Sequence, residues 1–154
     1  MDLHDFLSPQ AIVADLRAGS KKQLLQQLSQ RAASLTGLED RRVLEVVLER
    51  ERLGSTGFGG GVAIPHGKIE GLTSVFGLFA RLNAPVDYDA LDRQPVDMLF
   101  LLLAPEGAGA DHLKALARVS RVFRDRVTLE KLRGSTSADA LYAMLASGVH
   151  SRAA

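Results

Sequence analysis

Leu24, Leu25, Leu28, Ala32 and Leu35 recur at the three- and four-residue spacing of a buried helix face. Ser20-Lys21-Lys22-Gln23 stands before them as a capping box, and Gly37 stands after them as a stop. Asp40 begins a second helix with Val43, Val46, Val47 and Leu48 inward, running to about Arg52 before Gly54. The link between the two is short, so they pack as antiparallel neighbours. Upstream, Leu3 to Leu7 is an apolar patch closed by Ser8-Pro9, and Ala11-Ile12-Val13-Ala14 reads as a short first strand. Ser74 to Leu82 reads as another strand, broken by Asn83-Ala84-Pro85, with Val86-Asp87-Tyr88 a short extended piece after it. Val96 to Ala104 is almost wholly apolar without alternation, the pattern of a central strand covered on both faces.

Beyond Pro105-Glu106-Gly107-Ala108-Gly109, a helix capped by Gly109 or Asp111 runs to about Phe123, with His112, Leu116, Val119 and Phe123 on one face. Thr128 to Leu132 reads as a short helical turn. Ser137 caps a last helix with Ala140, Leu141, Met144 and Leu145 inward, and the C-terminal tail reads as loose. Helix pairs around a central apolar strand, in this order, predict an α/β fold: a three-layer sandwich in which a mixed β-sheet is flanked by helices on both faces, formed by residues 1–154 as one domain.

Composition narrows the function. With 19 Lys+Arg against 18 Asp+Glu, the formal charge is +1, so nothing marks a binder of nucleic acid. The chain has no cysteine, which excludes disulfides, thiolate metal sites and a cysteine nucleophile. The start, Met1-Asp2-Leu3-His4-Asp5, lacks the basic and apolar regions of a signal peptide, and the longest apolar run, Met98 to Ala104, is too short for membrane insertion. A cytoplasmic location is the default expectation.

The most informative stretch is Glu49 to Lys68, ERERLGSTGFGGGVAIPHGK. Gly54, Gly57, Gly59, Gly60 and Gly61 fall close together, where a ligand could approach main-chain N–H groups. The spacing fits neither a phosphate-binding P-loop, which would need Ser or Thr where Ile69 stands, nor a dinucleotide fingerprint, which would need glycine where Val62 stands. Taken alone, the glycines read better as tight-turn residues. His66 shifts the balance. Pro65 is stiff and biases Ile64 towards an extended conformation, and Gly67 is flexible, so an imidazole is displayed at a strand end. Imidazole is largely uncharged near neutral pH and can act as a nucleophile. Attack on phosphorus needs one ring nitrogen free and the other held by an acceptor; the product oxygens need cations or N–H donors. Arg50 and Arg52 offer forks suited to phosphate, or simply favourable charge at a helix terminus. Ser55 and Thr56 are hydroxyl donors or turn residues. His112 lies in the first turn of a helix, where anions are favoured, or is a half-buried residue at the edge of an apolar face. His4 and His150 look incidental, and four scattered histidines without tight spacing make no metal site. Arg118, Arg121, Arg124 and Arg126 read as a solvated helix face, with a patch for an acidic partner the weaker alternative.

These residues resemble a known family. Arg50-Glu51-Arg52-Leu53-Gly54-Ser55-Thr56-Gly57-Phe58-Gly59, then Val62-Ala63-Ile64-Pro65-His66-Gly67-Lys68, is similar to the signature of the mannitol/fructose-type (type 2) enzyme IIA of the bacterial phosphotransferase system. Gln94-Pro95-Val96-Asp97-Met98-Leu99-Phe100 and Asp111-His112-Leu113 are similar as well, so the resemblance runs from about Leu3 to Leu145. The segment Asp89 to Pro95 most resembles the nitrogen-regulatory branch. Relatives often carry a longer N-terminal part than Met1-Asp2-Leu3.

The resemblance implies a phosphoryl carrier in which His66 accepts the group as a tele-phosphohistidine from a histidine phosphocarrier protein (HPr-like). Arg50 steadies the phosphate and His112 is the second active-site histidine. Ser55, Thr56, Gly57 and Gly67 are phosphate-site positions. It implies no metal and no organic cofactor. The carrier would regulate target proteins, such as sensor kinases or transporters, by phosphorylation-dependent binding, a role at the margin of what counts as an enzyme. Two alternatives stay open: a sugar-specific IIA that passes the group to a IIB domain, and a non-catalytic module that senses an anion.

Overall fold

The structure, a computed structural model, describes the backbone of residues 1–153 and the side chains of residues 1–146. The expected loose tail and His150 fall outside these side chains. A single 3₁₀ turn, Leu3–Asp5, precedes β1 (Leu7–Leu16). Next come α1 (Lys21–Thr36), α2 (Asp40–Arg52), β2 (Gly57–Gly59), β3 (Val62–Ala63), β4 (His66–Ile69), β5 (Phe76–Val86) and β6 (Val96–Pro105). The chain continues through α3 (Ala110–Arg124), α4 (Arg126–Arg133) and α5 (Ala138–Ala153).

The strands form one mixed six-stranded sheet in the order β1-β5-β6-β3-β2, with β4 also paired to β6. β1 runs parallel to β5, β5 antiparallel to β6, and both β3 and β4 parallel to β6. β6 is buried on both faces from Met98 to Ala104, as its unbroken apolar run requires. α1 packs with α2, and α2 lies on β4; α3 lies on β6 and joins α4 and α5 in the other layer. This is the mixed-sheet α/β sandwich that the pattern predicts. A ladder of rings ties the layers together: Phe6 meets Phe100 at 6.1 Å, Phe100 meets Phe123 at 6.0 Å, and Phe79 meets Phe123 at 6.0 Å.

Helix ends follow their local chemistry. Ser20 Oγ accepts the Gln23 N–H at 3.2 Å, while the Gln23 side-chain oxygen takes the Gly19 N–H at 2.8 Å. Gly37 closes α1 in the left-handed conformation, φ 81°, and its N–H returns to the Ala33 carbonyl. The Ala140 N–H donates to Ser137 Oγ at 3.2 Å at the start of α5.

Three boundaries and one buried position differ from the pattern. β1 runs through Ser8-Pro9 instead of starting after it: β1 is an edge strand, and a register shift between Leu7 and Ile12 absorbs the proline. β5 likewise continues through Asn83-Ala84-Pro85 to Val86, with a register shift between Arg81 and Val86. The turn expected at Thr128–Leu132 is the two-turn helix α4, capped by Asp125 accepting from the Thr128 N–H. Leu35, placed on the buried face of α1, is 39% exposed.

Candidate active site

His66 is the first residue of β4, so the strand starts at the imidazole where the sequence reading placed its end. β3 and β4 keep one register against β6: Val62 faces Met98, and His66 faces Leu102. They act as one strand interrupted at Ile64-Pro65, with the Pro65 carbonyl still accepting the Leu102 N–H at 3.0 Å. The interruption brings the Ile64 carbonyl within 2.8 Å of His66 Nδ1. A carbonyl only accepts, so Nδ1 carries the proton and Nε2 keeps its lone pair.

Alternation along β4 sends neighbouring side chains to opposite faces. His66 faces α3, where the His112 ring lies edge-on to it with centroids 5.7 Å apart and planes at 75°. Gly67 faces α2: a Cβ there would lie 2.4 Å from Val46 Cγ1. The glycine lets α2 sit close to the strand, which brings the last turn of α2, with Arg50, to the edge of the site.

His112 is 8% exposed, and among the described residues neither of its ring nitrogens has a hydrogen-bond partner. A neutral imidazole carries one N–H, so a buried donor waits beside His66 without an acceptor. Burial pushes the His112 pKa below the ordinary histidine value, and the nearby His66 and Lys68 push the same way. His66 is also lowered, first by burial and then by the Arg50 charge; the Ile64 carbonyl and Glu51 work against these. Both rings are therefore held neutral where a free histidine begins to protonate. Arg50 Nη1 donates to the Gly54 carbonyl at 2.9 Å, which folds its guanidinium over the glycine loop.

The structure thus brings together His66, His112 and Arg50. The loop residues are engaged within the protein. Ser55 Oγ accepts the Gly57 N–H at 3.1 Å and lies 3.4 Å from the Tyr88 carbonyl. The Thr56 hydroxyl bonds the Glu51 carboxylate, and its N–H donates to the same group at 3.2 Å. The Gly57 carbonyl takes the Leu91 N–H at 2.8 Å. Beyond the loop, Arg133 holds the glycine hairpin from α4 by pairing with Asp97 at 2.8 and 3.0 Å and donating to the Gly60 carbonyl.

Sequence reasoning passed over Glu51, Lys21, Tyr88, Asp97 and Arg133. Glu51 stood inside the signature beside Arg50 and Asp97 inside the similar segment 94–100, while Lys21, Tyr88 and Arg133 lie far away in the chain, with no local pattern to mark their contacts. Of the incidental pair, His4 lies 3.4 Å from its neighbour Asp5 in the 3₁₀ turn.

A family model described as "Phosphoenolpyruvate-dependent sugar phosphotransferase system, EIIA 2" matches residues 5–148. The chain is 57% identical over 146 residues to a nitrogen regulatory protein of Bradyrhizobium diazoefficiens, covering 95% of each chain. It is 40% identical over 141 residues to a nitrogen regulatory protein of Pseudomonas aeruginosa, covering 91% of this chain and 92% of the other. Among solved structures, the nitrogen regulatory protein IIA-Ntr of Neisseria meningitidis superposes with a TM-score of 0.88 at 38% identity, over 93% of this chain and 98% of that one.

Proposed function

The chain belongs to the EIIA type-2 family of the phosphoenolpyruvate-dependent sugar phosphotransferase system, and on that premise we propose that Nε2 of His66 carries the phosphoryl group. Its role is that of a phosphoryl-carrying regulator in a relay with phosphocarrier partners. The observation that carries the assignment of the atom is the 2.8 Å bond from Nδ1 to the Ile64 carbonyl, which leaves Nε2 as the free lone pair.

In the transfer, that lone pair attacks the phosphorus of a phosphohistidine on an HPr-like carrier. The new Nε2–P bond forms as the donor's N–P bond breaks, and the bonding pair returns to the donor's ring nitrogen. The proton stays on Nδ1 and is donated to the Ile64 carbonyl, which stabilises the ring as it gains positive character. Arg50 turns its fork to the phosphoryl oxygens. The unpartnered N–H of His112 gains an oxygen acceptor it lacks in the free protein, so part of the binding energy appears only when phosphorus arrives. Ser55, Thr56, Gly57 and Gly67 contribute by shaping the loop and the strand that hold these groups.

Regulation follows from charge. A phosphoryl group adds nearly two negative charges beside Leu53 and Leu113, which are 82% and 69% exposed. A target protein, such as a sensor kinase or a transporter, that docks on this apolar rim meets a different surface in the two states. The relatives named as nitrogen regulatory proteins favour this reading over the sugar-specific one.

Incubation with phosphoenolpyruvate, enzyme I and the carrier should add one acid-labile phosphoryl group, and ³¹P NMR should place it on Nε2. Labelling of His66→Ala to the wild-type level refutes the assignment. Pull-downs comparing His66→Ala with His66→Asp should retain different partners, and transfer to a purified IIB with no such difference would favour the sugar-specific role.

A further inference from the structure

Behind the glycine loop lies one carboxylate with four donors. The Glu51 side chain is 6% exposed. Its Oε1 lies 2.9 Å from the Lys21 ammonium and 3.2 Å from the Thr56 N–H. Its Oε2 takes the Thr56 hydroxyl and, at 3.3 Å, the Tyr88 hydroxyl. Tyr88 and Thr56 hydroxyls lie 3.0 Å apart, and the Lys21 ammonium sits 4.4 Å above the Tyr88 ring. The network joins the first turn of α1, the last turn of α2, the loop, and the segment after β5. Burial and the Glu51 charge push the Tyr88 pKa upward, so its hydroxyl keeps its proton and remains a donor.

Arg50 and Glu51 are consecutive, and they grip the same loop from two sides. Arg50 takes the Gly54 carbonyl, and Glu51 takes both donors of Thr56. A loop this rich in glycine has many backbone states open to it. What selects one is a fully satisfied buried carboxylate, a rigid arrangement because each bond fixes the direction of the others.

We propose that Glu51 is a positioning residue for phosphoryl transfer: anchored by Lys21, it fixes through Thr56 the turn whose Gly54 carbonyl seats the Arg50 guanidinium beside His66. The proposal rests on the reading of His66 as the phosphoryl acceptor. It assigns the Thr56 hydroxyl to the carboxylate behind it, leaving the phosphoryl oxygens to Arg50 and His112. The Glu51 charge also bears on the imidazole directly, raising its pKa where Arg50 lowers it.

A purely structural network would alter stability alone. Positioning alters the rate at saturating carrier while leaving the docking surface, and so the half-saturating concentration, in place. A misplacement of about 1 Å can cost on the order of 100-fold in rate. Transfer from the phosphorylated carrier to this protein should be followed by rapid quench over a range of carrier concentrations. The variants are Glu51→Gln, Thr56→Val, Thr56→Ser and Tyr88→Phe, each with its thermal midpoint recorded. Thr56→Val and Glu51→Gln should lower the maximal rate roughly 10- to 100-fold, with half-saturation within about twofold of wild type. Thr56→Ser, which keeps the hydroxyl, should restore most of the rate, and Tyr88→Phe should lower it less. Glu51→Gln should also move the His66 NMR titration to lower pH. Wild-type rates in both Thr56→Val and Glu51→Gln overturn the proposal, as does Thr56→Ser being as slow as Thr56→Val. Should those two variants fail to fold, Tyr88→Phe and Thr56→Ser decide: a wild-type rate in Tyr88→Phe overturns it, and a reduced rate there with Thr56→Ser near wild type supports it. A wild-type protein that takes no phosphoryl group would instead refute the reading of His66.

Discussion

Gly67→Ala separates a glycine needed for packing from one needed to bind phosphate. A Cβ at this position would lie 2.4 Å from Val46 Cγ1 and 3.7 Å from the Val46 carbonyl oxygen. Carbon pairs settle at about 3.5–4.0 Å, so the contact is short by more than 1 Å, and the neighbour is a β-branched side chain on a helix with little room to turn. Overpacking of this kind costs about 1–3 kcal/mol. In a chain of this size each kcal/mol moves the melting midpoint by about 2–4 °C, so a loss of roughly 2–12 °C is expected. The partner can be trimmed: Val46→Ala alone should cost about 1 kcal/mol for its lost methyl groups, and the double variant Gly67→Ala/Val46→Ala should recover most of the clash. Urea melts of the four proteins give the coupling energy, expected at about 1–2 kcal/mol in the favourable direction because the residues touch. Labelling by the carrier should return with stability in the double variant. A Gly67→Ala protein as stable as wild type, or single effects that simply add, would refute the steric argument. Normal stability with lost labelling would place the glycine's importance at the phosphate instead.

Other consequences can be checked alongside. His66 and His112 have pKa values lowered from 6.5, so between 6.5 and the lowered values the unfolded chain binds more protons than the folded one. Stability from these two is complete above about pH 7.5 and declines as pH falls through 6.5, levelling off below the folded values. Denaturant melts from pH 7.5 to 5.5 should show the decline, and His112→Gln should flatten it; an unchanged slope contradicts the assignment. Arg133→Ala removes the ties to Asp97 and the Gly60 carbonyl; with the pair part-exposed, about 1–2 kcal/mol should be lost, and amide exchange should quicken at Gly59–Gly61. Gly37→Ala places a side chain at φ 81° and should cost about 1 kcal/mol in thermal melts, although none of the described residues crowds the added methyl.

Most of the helical layer was legible because its signals are local. Ser20, Gly37 and Ser137 mark ends through bonds made within one turn, Asp40 opens α2 as an acidic first residue, and the structure keeps those ends. The strands were legible where burial is two-sided, as in β6, and less so where prolines intervened. Pro9 and Pro85 read as breaks because a proline removes a ladder donor, yet both lie beside register shifts where the ladder is already irregular. That irregularity is a property of the sheet, and no short window of residues contains it. The triad of His66, Arg50 and His112 was reachable through the signature. The edge-on approach of the two rings depends on how α3 docks on β6, which spacing along the chain does not encode.

The neutral state of His66 illustrates why the fold and the chemistry cannot be separated here. A nucleophilic imidazole needs a lone pair, and a lone pair is lost when the ring protonates. Burial discourages protonation, and the Arg50 charge discourages it further. Too much of either would leave a ring unable to carry the positive character that the proposed attack on phosphorus requires. The Ile64 carbonyl and Glu51 supply the opposing influence, both acting to hold positive charge on the ring. The carbonyl does so because the strand is interrupted at Ile64-Pro65 just before the imidazole, and Glu51 does so from a buried position held by Lys21 and Thr56. Replacing Pro65 with Ala should therefore act on the chemistry before it acts on stability. With the interruption relaxed, the bond to Nδ1 weakens, the tautomers mix, and the fraction of rings with Nε2 free falls. Nitrogen-15 chemical shifts of the His66 ring would report that mixture directly. A ring that keeps its proton wholly on Nδ1 in Pro65→Ala would mean that the interruption is not what sets the tautomer.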